Sequence, residues 1–105
     1  MTTRQFDIVL YGATGFTGRQ AVRYLTENAP TGLAWAIAGR DRKKLDSLQG
    51  CISVLVADIS ERSAIDRLIS KTRVLISTAG PFSLYGGPIV DACVRFGTDY
   101  VDITG

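Results

Sequence analysis

Three glycines spaced three residues apart follow a short apolar segment near the start of the chain. The apolar segment is Phe6 to Tyr11, and the glycines lie in Gly12-Ala13-Thr14-Gly15-Phe16-Thr17-Gly18. An amphipathic segment from Phe16 to Asn28 begins inside this run. A strand, a glycine-rich turn and a helix in immediate succession are typical of a βαβ unit. This succession places the chain in the α/β class.

Short apolar segments and longer amphipathic segments alternate along the rest of the chain. The predicted strands are Phe6 to Tyr11, Leu33 to Ala38, Ile52 to Ala57, Arg73 to Thr78 and Asp99 to Ile103. The predicted helices are Phe16 to Asn28, Asp41 to Leu48, Glu61 to Ser70 and Gly87 to Phe96. Five strands joined by helices predict a doubly wound, Rossmann-like parallel sheet with strand order 3-2-1-4-5 and two helices on each face.

Single residues predict where several helices start or stop. Pro30 ends the first helix, because the residue before a proline avoids helical backbone angles. Asp41 and Ser60 are the expected N-caps of the second and third helices, since short oxygen-bearing side chains accept hydrogen bonds from the first helical amides. Gly97 is well placed to terminate the fourth helix.

The length of 105 residues, with 46% apolar and 21% charged residues, fits one globular domain over residues 1–105. The fifth predicted strand has no helix after it, which leaves an apolar edge containing Tyr100, Val101 and Ile103 open to pairing. We therefore expect a piece of a longer enzyme, and a homodimer of the piece could form through this exposed strand.

Charge, histidine and cysteine content exclude several classes of function. The formal charge is +2 and the basic residues are scattered, so we expect no nucleic-acid partner. The chain has no histidine, which excludes a histidine metal cage and any Ser-His or Cys-His nucleophile pair within it, and we expect no metal. Cys51 and Cys93 match no metal or redox spacing. Two cysteines without a secretory signal suggest reduced, packed thiols, so we expect a cytoplasmic protein. Glycine interrupts both long uncharged runs, so we expect neither a membrane span nor a signal peptide.

The glycine run is suited to holding a pyrophosphate. Gly12 permits a tight turn off the strand, Gly15 lets the backbone approach the phosphates, and Gly18 allows close packing of helix against sheet. The backbone amides from Thr14 to Thr17, including that of Phe16, would then point at the phosphates, and the helix dipole favours the anion. The alternative is a turn in which glycine merely relieves strain.

The end of the second predicted strand indicates which dinucleotide binds. An NAD site usually has an acidic residue there, about 20 residues beyond the loop, to hold the ribose hydroxyl. Here Gly39 and Arg40 occupy the position, and a guanidinium can pair with a 2′-phosphate and stack on adenine. NADP is therefore the predicted cofactor. The competing interpretation is that Arg40 is an ordinary surface arginine.

Two further strand ends carry candidate cofactor contacts. Asp58 follows the third strand, where its carboxylate could meet the adenine amino group or could equally serve local turn chemistry. Ala79 and Gly80 close the fourth strand, next to the first strand and the switch-point crevice. Small residues there would let the cofactor lie against the backbone, although Gly-Pro also encodes a simple turn.

Three blocks of residues carry a family resemblance that covers nearly the whole chain. They are Tyr11-Gly12-Ala13-Thr14-Gly15-Phe16-Thr17-Gly18, Ala38-Gly39-Arg40, and Gly80-Pro81-Phe82 through Tyr85-Gly86. Together they resemble the NADP-binding domain of saccharopine dehydrogenase-like oxidoreductases, which include trans-acting enoyl reductases. The resemblance implies an N-terminal Rossmann domain followed by a C-terminal substrate domain that is missing here.

The resemblance also implies roles for single residues. It supports Gly12, Thr14, Gly15, Phe16 and Thr17 at the pyrophosphate, with Arg40 at the 2′-phosphate and Ala79 and Gly80 along the nicotinamide half. It gives no catalytic acid or base in this chain, so the catalytic residues and the substrate stay unknown. Tyr85 and Asp102 receive no catalytic role.

The leading hypothesis is hydride transfer from NADPH by the full-length enzyme, with no turnover expected from this piece alone. The alternative is a regulatory module that senses NADP without chemistry. A short-chain dehydrogenase would need Tyr-x-x-x-Lys, and no tyrosine here has a lysine four residues later. A semialdehyde-type dehydrogenase would need an activated cysteine, which neither Cys51 nor Cys93 resembles.

Overall fold

The structure is a computed structural model that describes residues 4–13, 15–48, 53–78 and 82–102, with the side chains of residues 82–86 left out. Strands and helices alternate throughout these residues. The strands are β1 (Phe6–Tyr11), β2 (Trp35–Gly39), β3 (Ser53–Val56), β4 (Thr72–Ser77) and β5 (Asp99–Asp102). The helices are α1 (Phe16–Asn28), α2 (Arg42–Asp46), α3 (Arg62–Ser70) and α4 (Phe82–Phe96).

The five strands form one parallel sheet in the order β3-β2-β1-β4-β5. β1 lies in the centre, where Tyr11 is paired with Ala38 of β2 on one side and with Ser77 of β4 on the other. The predicted doubly wound topology is confirmed. The strand order reverses at β1, so the carboxyl ends of β1 and β4 border the switch-point crevice.

Alternate residues of β1 enter two separate hydrophobic cores. Val9 packs with Leu75 of β4 and with the apolar faces of α3 and α4. Leu10 packs on the opposite side with Val22 of α1 and Leu45 of α2. Because successive strand side chains point to opposite faces, two apolar neighbours in one strand supply both layers. The expected two helices on each face are thus present.

The helix ends agree with the sequence prediction in three places. The chain leaves α1 at Ala29, directly before Pro30. The Asp41 carboxylate accepts a hydrogen bond of 3.2 Å from the amide of Lys44 and so caps α2. Gly97 has a φ of +70°, and the following amide bonds back to the carbonyl oxygen of Cys93 at 2.9 Å, which closes α4.

Two predicted helix starts were wrong. We expected α4 to begin at Gly87, but it begins at Phe82 and carries Pro88 in its interior. A proline there removes one hydrogen bond to the residue four positions earlier, and the helix nevertheless continues on both sides of it. We also expected Ser60 to cap α3, whereas Glu61 holds the N-cap position without a side-chain bond. The Ser60 hydroxyl donates to Asp58 instead, at 2.8 Å.

Arg4 ties the start of β1 to the ends of the two helices on one face. Its guanidinium donates to the carbonyl oxygen of Ser70, the last residue of α3, at 3.0 Å, and to that of Phe96, the last residue of α4. A cation at the carboxyl ends of two helices satisfies terminal carbonyl groups and is favoured by both helix dipoles. Arg4 therefore links the amino end of β1 to the carboxyl ends of both helices.

No helix among the described residues is both long enough and apolar enough to cross a membrane.

Candidate dinucleotide-binding site

The turn from β1 into α1 is built around Gly12. Its φ is +86°, a conformation that side-chain-bearing residues rarely adopt. Its amide donates to the carbonyl oxygen of Ala38 in β2 at 2.9 Å, and its own carbonyl oxygen accepts from the amide of Gly15 at 3.2 Å. The loop is thus folded back on itself directly above the centre of the sheet. Thr14, another candidate of the loop, lies outside the described residues.

Gly18 brings α1 against this loop more closely than any other residue type could. A Cβ at this position would lie 2.2 Å from the carbonyl oxygen of Gly12 and 2.8 Å from the Cα of Ala13. Both obstructing atoms belong to the backbone, so they cannot move aside as a flexible side chain would. The helix can begin this near to the loop only because Gly18 has no side chain.

The first turn of α1 leaves donors for a ligand. The first helical hydrogen bond runs from the amide of Arg19 to the carbonyl oxygen of Gly15 at 2.9 Å, so the amides of Phe16, Thr17 and Gly18 precede the hydrogen-bonded ladder. Gly15 caps the helix without a side-chain bond, and the first turn has no acidic residue. Backbone amides and a positive helix end together favour an anion here.

Gly15 and Phe16 lie on the outer side of the turn. A Cβ on Gly15 would meet only the carbonyl oxygen of Gly12, at an ordinary 3.6 Å, so folding alone does not require glycine there. The Phe16 side chain is 74% exposed. Both residues therefore face the space above the loop, where a ligand would approach.

The carboxyl ends of β2 and β3 bring Arg40 and Asp58 near each other. Gly39 and Val56 are paired in the sheet, and the amide of Ala57 donates to the carbonyl oxygen of Gly39 at 2.9 Å. Arg40 and Asp58 follow directly on this pair, and the Arg40 side chain is exposed. The pairing of β2 with β3 therefore places the two candidates at the carboxyl ends of neighbouring strands.

The carboxylate of Asp58 is held by local turn chemistry. Its Oδ1 accepts from the amide of Ser60 at 2.9 Å and from the Ser60 hydroxyl at 2.8 Å. These bonds, followed by the charge of Arg40, lower the pKa of Asp58 from its ordinary value. The side chain is ionised at neutral pH and keeps acceptor capacity, so the turn interpretation holds and an adenine contact stays a prediction.

Arg42, two positions after Arg40, is engaged within α2 itself. Asp41 caps the helix, and Arg42 forms a pair of 3.6 Å with Asp46 one turn later. Both members of this pair are more than half exposed. Arg42 is therefore a nearby surface cation with which Arg40 can be compared.

The end of β4 is fastened to the glycine loop by Thr78. Its hydroxyl lies 3.0 Å from the carbonyl oxygen of Gly12 and 3.2 Å from that of Tyr11. Sequence reasoning missed this residue, because an isolated threonine at a strand end has no pattern that reveals a contact with residues far away in the chain. Ala79 and Gly80 lie outside the described residues.

A second missed residue is Tyr11, at the end of β1. Its phenol donates a hydrogen bond of 2.9 Å to the carbonyl oxygen of Ala57, the residue before Asp58, and the side chain is buried. The bond passes over β2 and joins the central strand to the β3 end. Tyr11 therefore fixes the backbone from which Asp58 projects.

Two described side chains, those of Cys93 and Tyr100, have pKa values raised well above neutrality. Burial raises the pKa of Cys93 to about 11, and the thiol lies in the apolar face of α4. Burial, together with the neighbouring Asp102 carboxylate, raises the pKa of Tyr100 to about 12. Neither group is suited to act as a nucleophile or base at neutral pH. Cys51 lies outside the described residues, as does the side chain of Tyr85.

A doubly wound sheet, a glycine loop at its switch point and helix amides that precede the hydrogen-bonded ladder define a dinucleotide-binding domain of the Rossmann type. The sequence profile of one family, the saccharopine dehydrogenase NADP binding domain, matches residues 8–105. The chain belongs to this family, as its motifs indicated.

Several mycobacterial proteins are similar over nearly the whole chain. A trans-acting enoyl reductase of Mycobacterium leprae is 39% identical over 109 residues, which cover 97% of this chain and 26% of that protein. A putative trans-acting enoyl reductase of Mycobacterium tuberculosis is 39% identical over 111 residues and is covered to the same 26%. The chain thus spans about a quarter of the length of these relatives.

Solved structures of two oxidoreductases share the fold. The apo saccharopine dehydrogenase (L-Glu forming) of Saccharomyces cerevisiae superposes with a TM-score of 0.82 at 22% identity, over 95% of this chain and 22% of that one. The triphenylmethane reductase of Citrobacter sp., solved with NADP(H), gives a TM-score of 0.79 at 21% identity, over 94% and 37%. These likenesses support the Rossmann-like architecture.

Proposed function

We propose that this chain is the NADP(H)-holding domain of a longer oxidoreductase, in which hydride passes between the nicotinamide and a substrate bound by other parts of that protein. The family and the quarter-length coverage of enoyl reductases support this proposal. The observation that carries it is the loop, where Gly18 fits against Gly12 at a distance that excludes a Cβ. When bound, the cofactor supplies the hydride, and the chain's own residues bind and orient it.

The glycine loop would hold the pyrophosphate. The amides of Phe16, Thr17 and Gly18 precede the helical ladder of α1, and that first turn contains no carboxylate to compete with a phosphate. Gly12, Thr14 and Gly15 complete the cradle in this proposal. Since Gly15 tolerates a Cβ within the protein itself, a need for glycine there would come from the approach of the ligand.

The β2 and β3 ends would hold the adenosine half. Arg40 is exposed at the end of β2, and its planar guanidinium suits a doubly charged 2′-phosphate. Asp58 is ionised and near Arg40, where one of its oxygens could accept from the adenine amino group. Attraction between the two side chains would keep the guanidinium at the sheet edge before the cofactor arrives.

The nicotinamide half would lie at the end of β4, along Ala79 and Gly80. The chemistry needs a proton donor and a substrate pocket, which we assign to the longer protein that continues this domain. The buried thiol of Cys93 and the buried phenol of Tyr100 are unsuited to that task because burial raises both pKa values. We therefore expect binding without turnover from the 105-residue chain.

β5 forms one edge of the sheet, and the exposed fraction of its Val101 is 51%. We propose that two copies of the isolated chain pair through this edge, an association that sedimentation equilibrium would detect. Cys93 carries a free thiol, which is consistent with a reducing, cytoplasmic location.

Calorimetric titration of the 105-residue chain with NADPH and with NADH at fixed salt tests the cofactor assignment. We expect a preference for NADPH that Arg40→Ala reduces by roughly tenfold to a hundredfold, the range for a lost charged hydrogen bond. NADH binding should change little. Arg42→Ala is the matched control, because Arg42 pairs with Asp46 within α2.

Equal binding of NADH and NADPH would contradict the role of Arg40. An equal loss in Arg42→Ala would show that general positive charge attracts the phosphate. Absence of binding by either cofactor would contradict the proposed function of the domain.

A further inference from the structure

The carbonyl oxygen of Gly12 lies next to Gly15, Gly18 and Thr78. It accepts from the amide of Gly15 at 3.2 Å, and it lies 2.2 Å from the place where a Cβ of Gly18 would stand. The third partner comes from outside the loop: the hydroxyl of Thr78 lies 3.0 Å away. The orientation of the Gly12-Ala13 peptide therefore affects the packing of the loop against α1.

Thr78 approaches this group from a fixed position. Its amide donates to the carbonyl oxygen of Tyr11 at 2.9 Å, which continues the pairing of β4 with β1. Its hydroxyl has a single proton, shared between the carbonyl oxygens of Gly12 at 3.0 Å and Tyr11 at 3.2 Å. Thr78, at the end of β4, thus contacts the carbonyl oxygens of both Tyr11 and Gly12.

Hydrogen bonds hold the Gly12-Ala13 peptide, because a glycine at a φ of +86° has no Cβ to restrict its peptide planes. The Ala13 amide donates to the carbonyl oxygen of Ala38 at 3.4 Å, while Gly15 and Thr78 hold the carbonyl oxygen of Gly12. Rotation would turn the carbonyl oxygen away from Gly15 and shift the amides that follow. A loop that must be reordered on each binding event binds its ligand more weakly, because the ordering cost is taken from the binding free energy.

We propose that Thr78 is a positioning residue for the dinucleotide, which fixes the Gly12-Ala13 peptide so that the amides of the loop and of α1 face the pyrophosphate. This inference rests on the proposed function, since it concerns affinity for the same cofactor. Thr78 itself contacts the loop. Its hydroxyl acts through Gly12.

Three variants test the proposal in the 105-residue chain. Thr78→Val keeps the branched shape and removes the hydroxyl, and Thr78→Ser keeps the hydroxyl. Thr72→Val is the matched control, because Thr72 lies at the other end of β4 and its hydroxyl also donates to a carbonyl oxygen, that of Leu68, at 2.7 Å. We expect Thr78→Val to weaken NADPH binding about fivefold, whereas Thr78→Ser and Thr72→Val bind as the unmodified chain does.

A second measurement does not depend on the cofactor. Hydrogen exchange of the Gly15 amide reports whether its bond to Gly12 persists, and we expect it to be about fivefold faster in Thr78→Val alone. Unchanged exchange and affinity in Thr78→Val would overturn the proposal, as would an equal loss of affinity in Thr72→Val or failure of Thr78→Ser to restore it. If the unmodified chain binds no NADPH, the proposed function fails, and unchanged Gly15 exchange would separately overturn the positioning role.

Discussion

Replacement of Gly18 by alanine tests the close approach on which the site depends. A new Cβ would stand 2.2 Å from the carbonyl oxygen of Gly12 and 2.8 Å from the Cα of Ala13. Alanine in a helix is favoured over glycine by about 1 kcal/mol, which would stabilise the variant if there were room. Overpacking costs roughly 1 to 3 kcal/mol and occasionally more, and the obstructing atoms here are backbone atoms held by other hydrogen bonds. The clash outweighs the helix preference, and we expect a net loss of about 2 kcal/mol.

Thermal unfolding monitored by circular dichroism measures this loss. For a domain of this size about 1 kcal/mol corresponds to roughly 4 to 8 °C in melting temperature, so the change is easily resolved. Gly15→Ala is the control, because its Cβ would lie at an ordinary 3.6 Å from Gly12. Its cost should stay below about 1 kcal/mol, the usual preference for glycine over alanine at an N-cap. A Gly18→Ala chain as stable as the unmodified one would refute the argument, since the helix would then have space that the structure denies.

Three further predictions concern other contacts. Gly15→Ala should fold and yet bind NADPH at least tenfold more weakly, by calorimetry, because its Cβ would occupy the approach of the pyrophosphate; unchanged affinity would contradict this. Arg4→Met should lower the unfolding free energy by about 2 kcal/mol in urea titrations, because carbonyl groups at two helix ends lose a charged donor; a loss within error would contradict it. The Arg95 guanidinium, 2.7 Å from Asp66, lowers the pKa of that carboxyl. Its stabilising effect is therefore complete above the ordinary aspartate pKa of about 3.9 and disappears as the pH falls through the lower folded value. The stability difference between the unmodified chain and Asp66→Asn should accordingly shrink below about pH 4, and a constant difference would contradict the assignment.

Most of the fold could be predicted because the local signals are strong. Strands buried on both faces form continuous apolar segments, and Gly97 ends α4 with the positive φ that glycine favours. The start of α4 could not be found this way, because Pro88 is typical of a helix start but lies inside the helix, which begins at Phe82. Ser60 likewise suits an N-cap, but a carboxylate two residues earlier accepts from its hydroxyl instead.

Some residues of the candidate site could likewise be predicted from the sequence, and others could not. Its glycines and Arg40 have a characteristic spacing, so the sequence alone could nominate them. Thr78 and Tyr11 have none, because their roles consist of hydrogen bonds to residues distant in the chain. The proximity of Arg40 and Asp58 also depends on the pairing of β2 with β3, and it follows only once the strand order is known.

Polar groups at the amino ends of the strands (the amino edge) and at their carboxyl ends (the carboxyl edge) are satisfied differently. We therefore expect substitutions at the amino edge to change stability and substitutions at the carboxyl edge to change ligand binding. At the amino edge, Arg4 donates to the carbonyl ends of α3 and α4, so the contacts there are made within the protein. At the carboxyl edge, the first amides of α1 precede the helical ladder and Arg40 is exposed, so those donors are left for a ligand. Arg4→Met should therefore reduce stability without changing the dissociation constant for NADPH, when binding is measured well below the melting transition. Gly15→Ala should do the reverse. If Arg4→Met weakened binding as much as it weakened folding, the loop would be coupled to the amino edge, and the two edges could not be treated as independent.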